Sequence, residues 1–273
     1  MGKFIAAAIQ MDSQTNRERN LETACALLAQ AVSRGAALIV FPECMDYCGP
    51  DYAGNAQTIE ESEAFSALSL AAKRYGVWVH CGSIHEKREN GLPYNTSFVI
   101  SPQGEIKSVY RKMHLFDMDL AGRPSVRESH RVSPGREVVT LETGALGTLG
   151  LSICYDLRFP EIFRMETLRG AQILCNPACF SNITGPAHWE TLLRARAIEN
   201  GCYVIAPNQI GIKPEMTAFG HSLIIDPWGK VLACLEAGEG IITAEIDTEY
   251  TASVRTQTGT LCNRRPELYN INL

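Results

Sequence analysis

The chain has 273 residues, 45% hydrophobic and 20% charged, with a formal net charge of −5. That size and balance suit a folded chain with an ordinary buried core and exclude a disordered one. The mild acidity argues against nucleic acid as the main partner, and no apolar run reaches the roughly 18 residues of a membrane span.

The opening Met1-Gly2-Lys3-Phe4-Ile5-Ala6-Ala7-Ala8-Ile9 has a superficial likeness to an export signal, but Gln10 and Asp12 break it early. Residues 4–11 read as a first strand instead. Residues 16–33 carry helical periodicity and stop at Gly35. Residues 37–41 are wholly apolar, as a buried central strand would be. A second helix is predicted over 59–75, stopped by Gly76. Strands follow at 77–84, 95–100 and 106–111, with Asn90-Gly91 and Ser101-Pro102-Gln103-Gly104 as turns.

Residues 112–136 form the longest irregular stretch, polar and holding Pro124 and Pro134. A loop that long is usually functional, and this one is expected to cover a site. Strands resume at 138–141 and 148–154. Then come helix 161–169, strand 173–176, helix 187–200 and strand 203–207. Strands 222–225, 230–234 and 241–246 close the chain, with Asp226-Pro227-Trp228-Gly229 as a hairpin turn. No linker or composition break intervenes, so residues 1–273 read as a single α/β domain of layered sheets. Two halves each run strand–helix–strand–helix–strand, which suggests a pseudo-repeat without sequence identity.

Ten cysteines are present. Most sit in apolar patterns, where a free thiol packs as a small hydrophobe. With no export signal they point to a reducing, cytoplasmic setting. Cys44/Cys48 and Cys175/Cys179 are each four apart, yet neither pair has a further ligand at finger-like spacing. No metal and no cofactor are expected, and no phosphate-binding glycine loop is present.

Three polar residues close apolar runs. Glu43 ends Ala-Leu-Ile-Val-Phe-Pro-Glu, Lys112 ends Val-Tyr-Arg-Lys, and Cys154 ends Leu-Gly-Leu-Ser-Ile-Cys ahead of Pro160. Strand ends gather at one edge of a sheet, so the three make one composite site. A thiol at a strand-to-helix turn is expected to have a lowered pKa and act as nucleophile. Attack on an amide carbonyl also needs a base and oxyanion donors. Glu43 serves as base if burial raises its pKa, Lys112 supplies the fixed charge, and the backbone N–H of Tyr155 is the second donor. Taken singly, each is bland: a capping glutamate, a surface lysine, a core cysteine.

Phe41-Pro42-Glu43, Tyr110-Arg111-Lys112-Met113-His114-Leu115 and Ile153-Cys154-Tyr155-Asp156-Leu157-Arg158-Phe159-Pro160-Glu161 resemble the three signature blocks of the nitrilase superfamily of carbon–nitrogen hydrolases. The resemblance runs from the first strand to the Arg265-Pro266-Glu267-Leu268-Tyr269 tail. It implies a four-layer α-β-β-α sandwich, a homodimer or larger homo-oligomer, and Glu43, Lys112 and Cys154 as catalytic triad. It also implies an assisting carboxylate on the covering loop, matched by Glu128. Cys154-Tyr155-Asp156 stands where true nitrilases carry Cys-Trp-Glu, which favours amides over nitriles.

Thr184-Gly185-Pro186-Ala187-His188-Trp189-Glu190 and the Leu193–Glu199 stretch resemble the Nit branch, which holds ω-amidases acting on 2-oxoglutaramate and deaminated-glutathione amidases. The implied substrate is a small anionic amide, cleaved through a thioester. It needs a cation near the thiol. Arg158 is the nearest in sequence, unless it pairs with Asp156 or Glu161; His188 is either a pocket wall or a structural histidine. The other readings are an N-carbamoyl-amino-acid hydrolase, a metal-dependent hydrolase, and a non-catalytic interaction module. The intact Glu43, Lys112 and Cys154 speak against the last.

Overall fold

The computed structural model describes residues 2–119, 122 and 125–269; Met1 and Pro124, both part of the reading above, lie outside the described residues. Strands β1 (Lys3–Gln10), β2 (Ala36–Val40), β3 (Trp78–His80), β4 (Ile84–Glu86), β5 (Tyr94–Ile100) and β6 (Ile106–Arg111) come first, with helices α1 (Arg17–Ser33) and α2 (Glu63–Tyr75) between β1, β2 and β3. Two short strands follow, β7 (Asp117–Met118) and β8 (Val126–Arg127). The second half holds β9 (Val139–Glu142), β10 (Thr148–Leu151), α3 (Pro160–Leu168), β11 (Ile173–Cys175), α4 (Gly185–Asn200) and β12 (Tyr203–Ala206). After these come β13 (Ile210–Ile212), β14 (Thr217–Phe219), β15 (Ser222–Ile225), β16 (Val231–Leu235), β17 (Gly240–Asp247) and α5 (Thr248–Thr258).

One sheet runs β17-β1-β2-β3-β5-β4 with β6 on β5; the other runs β16-β15-β12-β11-β10-β9. In each, three neighbouring strands are parallel, β1-β2-β3 and β10-β11-β12, with a helix in each crossover. The expected strand–helix–strand–helix–strand run is therefore present in both halves. Alternation along β1 and β2 explains the layering. Ala6, Ala8, Leu38 and Val40 face one core with the second sheet and with Trp189 and Leu193 of α4. Ala7, Ile9 and Ile39 face another, with Leu28 of α1 and Leu68 of α2. A strand buried on both faces must be apolar at every position, which is why β1 resembles an export signal. The result is the α-β-β-α sandwich.

Helix α2 begins four residues later than predicted. Ser62 caps it, its hydroxyl accepting from the Phe65 N–H at 3.0 Å, and Ile59 is buried ahead of the cap. The strand expected over 77–84 is split in two. Gly82 sits at φ +75°, and a Cβ there would lie 1.9 Å from the Pro42 carbonyl oxygen. The chain crosses the Pro42-Glu43 segment so closely that only a glycine fits. Hairpin β13–β14 and helix α5 were not predicted at all.

Gly82→Ala combines a left-handed backbone with a backbone clash, so it should cost more than about 2 kcal/mol. A lower urea midpoint at unchanged slope would show it; an unchanged midpoint would mean the crossing is looser than described.

Candidate active site

Lys112 directly follows β6, and its N–H bonds the Asn95 carbonyl at 2.9 Å, which carries the strand pairing one residue further. The side chain turns inward and is 2% exposed. Its Nζ lies 2.8 Å from Glu43 Oε1 and 2.9 Å from Glu128 Oε2. Burial works against the ammonium, but the charges of Glu128 and Glu43 outweigh it and hold the Lys112 pKa well above the ordinary value.

Glu43 stands beyond the end of β2, after Phe41 and Pro42. Its Oε1 accepts from Lys112 and from Asn95 Nδ2 at 2.8 Å, and its Oε2 accepts from the Cys179 N–H at 2.7 Å. Its carbonyl accepts from Gln209 Nε2 at 2.9 Å. Burial thus comes with three donors on one carboxyl group. Glu128 opens a single 3₁₀ turn, Glu128–His130, in the long irregular stretch. Its Oε2 also accepts from the Phe116 N–H at 2.6 Å, so the same carboxylate that meets Lys112 pins the covering segment.

Cys154 lies three residues beyond β10, at the start of a 3₁₀ turn, Cys154–Arg158, that precedes α3. Its φ is +46°, left-handed backbone for a residue that has a Cβ. Its N–H donates to the Pro177 carbonyl at 2.8 Å and that of Asp156 to the Ile153 carbonyl, while no acceptor among the described residues takes the N–H of Tyr155. The thiol differs from the expectation of a lowered pKa. Burial and the neighbouring Glu43 push it well above the ordinary value, and Lys112 only partly offsets them. The thiol form is therefore favoured over the thiolate at this position.

One fully buried side chain ties these elements together. Asp156 Oδ2 accepts from the Tyr110 hydroxyl at 2.6 Å and the Ile153 N–H at 2.8 Å; its Oδ1 accepts from the His114 N–H at 3.0 Å and meets His114 Nδ1 at 2.7 Å. Asp156 thus fastens the turn before Cys154 to the residues on either side of Lys112. It does not line the cavity.

That cavity encloses about 110 Å³ and is lined by Glu43, Lys112, Glu128, Cys154, Tyr155 and Arg158, together with Tyr52, His85, Phe116, Arg131, Phe180 and Glu215. The covering segment supplies Phe116, Val126, Arg127, Glu128 and Arg131, in keeping with the expected covering role. The Arg131–Glu215 ion pair joins two of the lining residues. Arg158 makes no ion pair with Asp156 or Glu161 among the described residues. Its guanidinium lies 5.5 Å from the Phe180 ring centroid and 5.6 Å from that of Tyr155, and its Nε is buried without a partner. His188 is exposed and off the cavity wall, with Nδ1 3.1 Å from Arg158 Nη1. It holds Arg158 rather than walling the site. Asn95, Cys179 and Arg131 were missed by sequence reasoning. Asn95 stands in a strand that also holds Thr96 and Ser97, so its polarity gave no distinct signal.

A family model described as carbon-nitrogen hydrolase matches residues 5–256. The deaminated glutathione amidase of Bos taurus is 38% identical over 275 residues, covering 97% of this chain and 83% of that protein. The omega-amidase NIT2 of Xenopus tropicalis is 37% identical over 273 residues, covering 99% and 98%. The crystal structure of the C. elegans NitFhit protein superposes with a TM-score of 0.91 at 36% identity; the match covers 98% of this chain but only 66% of that longer one.

Asp156→Asn replaces a carboxylate that faces donors on all sides with a group that must present two N–H bonds to them. It should cost about 3 kcal/mol of stability, read by thermal or urea unfolding. Glu43→Gln removes the charge that helps hold the Cys154 thiol up. The pH dependence of Cys154 alkylation by iodoacetamide should then shift to lower pH; a shift upward would contradict the described electrostatics.

Proposed function

The chain belongs to the carbon–nitrogen hydrolase family, in the Nit-type amidase branch of the nitrilase superfamily, and for this amide-hydrolysing enzyme we propose a mechanism in which Cys154 is the nucleophile, Glu43 the base and Lys112 the oxyanion partner. The observation that carries the reading is the buried Lys112 ammonium between Glu43 and Glu128 in the cavity that also holds the Cys154 thiol.

Glu43 takes the thiol proton as sulfur bonds to the amide carbonyl carbon. The developing oxyanion is met by Lys112 and by the N–H of Tyr155. Glu43 then returns the proton to the leaving nitrogen, the carbon–nitrogen bond breaks, and ammonia departs from a thioester on Cys154. Water attacks that thioester, Glu43 accepts its proton, and collapse of the second tetrahedral species releases the carboxylic acid and restores the thiol. Glu128 keeps Lys112 aimed. Asn95 and the Cys179 N–H keep Glu43 from turning away.

The proposed substrate is a small anionic amide, a 2-oxo-ω-amide such as 2-oxoglutaramate, or deaminated glutathione; the similarity to a deaminated glutathione amidase and an omega-amidase supports this class. Arg158 and its unpartnered Nε support an anion site on the wall, with His188 as its brace. We further propose that residues 1–273 form one hydrolase unit, that it works without cofactor or metal, in the cytoplasm, and as a homodimer or larger oligomer.

Cys154→Ala should abolish ammonia release from these amides while the protein still folds. Glu43→Gln should cost about 10²–10⁴-fold in kcat and Lys112→Ala on the order of 10²–10³-fold. Protein quenched during turnover should carry, on Cys154, the mass of substrate less ammonia. Efficient nitrile turnover with no amide activity would overturn the substrate class.

A further inference from the structure

Three thiols besides Cys154 line the same cavity, Cys44, Cys48 and Cys179. They pack with Ala218 into one small buried cluster, and all three are free. Cys44 and Cys48 come from the segment after β2, whereas Cys179 comes from the segment after β11, on the other sheet. The mechanism proposed above uses none of these sulfurs.

Their surroundings are not equivalent. Cys44 has φ +55°, its N–H is held by Ser83 Oγ at 2.9 Å, and its sulfur lies 3.9 Å from His85 Nε2. Cys48 interacts with both of the others. Lys213 is on its side of the cavity, its buried ammonium 2.7 Å from Asp12 Oδ1 and 2.8 Å from the Ser13 carbonyl. Hydrogen bonds from Cys179 and Cys44, with the charge of Lys213 added, hold the Cys48 thiol well below the ordinary value despite burial. Cys44 and Cys179 are held well above it, first by their bonds to Cys48 and then by burial. Three free sulfurs from two sheets therefore meet on the wall of one cavity.

We propose that Cys48 and Cys179 form a second reactive-thiol site in this cavity, one that reduces a hydroperoxide and closes to a Cys48–Cys179 disulfide. The Cys48 sulfur attacks an oxygen of the peroxide, the O–O bond breaks, and the other oxygen leaves as alcohol or water after taking up a proton. Cys48 is then a sulfenic acid. The Cys179 sulfur attacks the Cys48 sulfur, the S–O bond breaks, and the hydroxyl leaves with the Cys179 proton as water. Two thiols and one hydroperoxide become one disulfide, one alcohol or water, and one water. Cys179 is the partner because the Cys44 sulfur already meets His85 Nε2.

This step does not depend on the amidase reading, but its consequence does. The Cys179 N–H donates to Glu43 Oε2 at 2.7 Å, so drawing Cys179 toward Cys48 moves a donor of the proposed base. The disulfide form should lose amide turnover and regain it with dithiothreitol.

The test starts from the full-length Cys154→Ala protein, in which the nucleophile cannot answer for its neighbours. Hydrogen peroxide in small excess, followed by alkylation and peptide mapping, should remove two thiols per chain and yield a linked pair containing Cys48 and Cys179. Adding Cys48→Ser should abolish the loss. Adding Cys179→Ser instead should stop Cys48 at the sulfenic acid, trapped by a 1,3-dione probe. An unchanged thiol count, a bridge through Cys44, or oxidation confined to the exposed Cys234 and Cys262 would overturn the proposal. So would wild-type turnover that persists when the disulfide has formed.

Discussion

A lysine ammonium with almost no access to water is the constraint around which this site is arranged. Leaving such a charge unpaired is prohibitively costly, so a buried ammonium demands partners. Lys112 has two carboxylates, one from the end of β2 and one from the covering segment. Each partner is itself anchored: Glu43 by Asn95 and the Cys179 N–H, Glu128 by the Phe116 N–H. Remove the ammonium and a buried and a half-buried carboxylate face each other. The ion pair thus gathers segments from both sheets and from the loop, and the layered fold supplies the strand ends that let it form.

A second buried charge centre, Asp156, does for the backbone what Lys112 does for the side chains. By fixing the N–H of Ile153 and of His114 on one carboxylate, it sets the distance between the Cys154 turn and the lysine. Its separation from the cavity assigns it to geometry rather than to contact with substrate. The difference between Asp and Glu at this position therefore acts through placement of the turn.

Much of this was legible in the chain. Fully apolar runs such as residues 36–40 announce strands covered on both faces, and Glu43, Lys112 and Cys154 stand out because each ends one. What was not legible has a physical cause in each case. Helix α5 is threonine-rich and polar, so neither propensity nor periodicity marks it; its start is set by the Asp247 cap, which accepts from the Glu249 N–H at 2.9 Å. Hairpin β13–β14 has Pro214 in its turn, and its strands also bond the segments at Met11 and at Phe180 and Asn182. Besides Lys112, the donors on Glu43 are a backbone N–H and an asparagine from distant segments, and nothing local predicts such a meeting. The thiol pKa was misjudged because a turn's dipole is visible in sequence, while burial beside Glu43 is not.

Cys154 holds its left-handed backbone at φ +46°, a conformation that costs a residue with a Cβ about 1 kcal/mol or more and a glycine almost nothing. Drift away from cysteine at this position therefore has a thermodynamic slope. A copy of the gene released from selection for turnover would gain folding stability by acquiring glycine there, and would become a more robust, inert protein. Cysteine at this turn is therefore carried at a cost to folding that a thiol in an ordinary strand or helix does not bear.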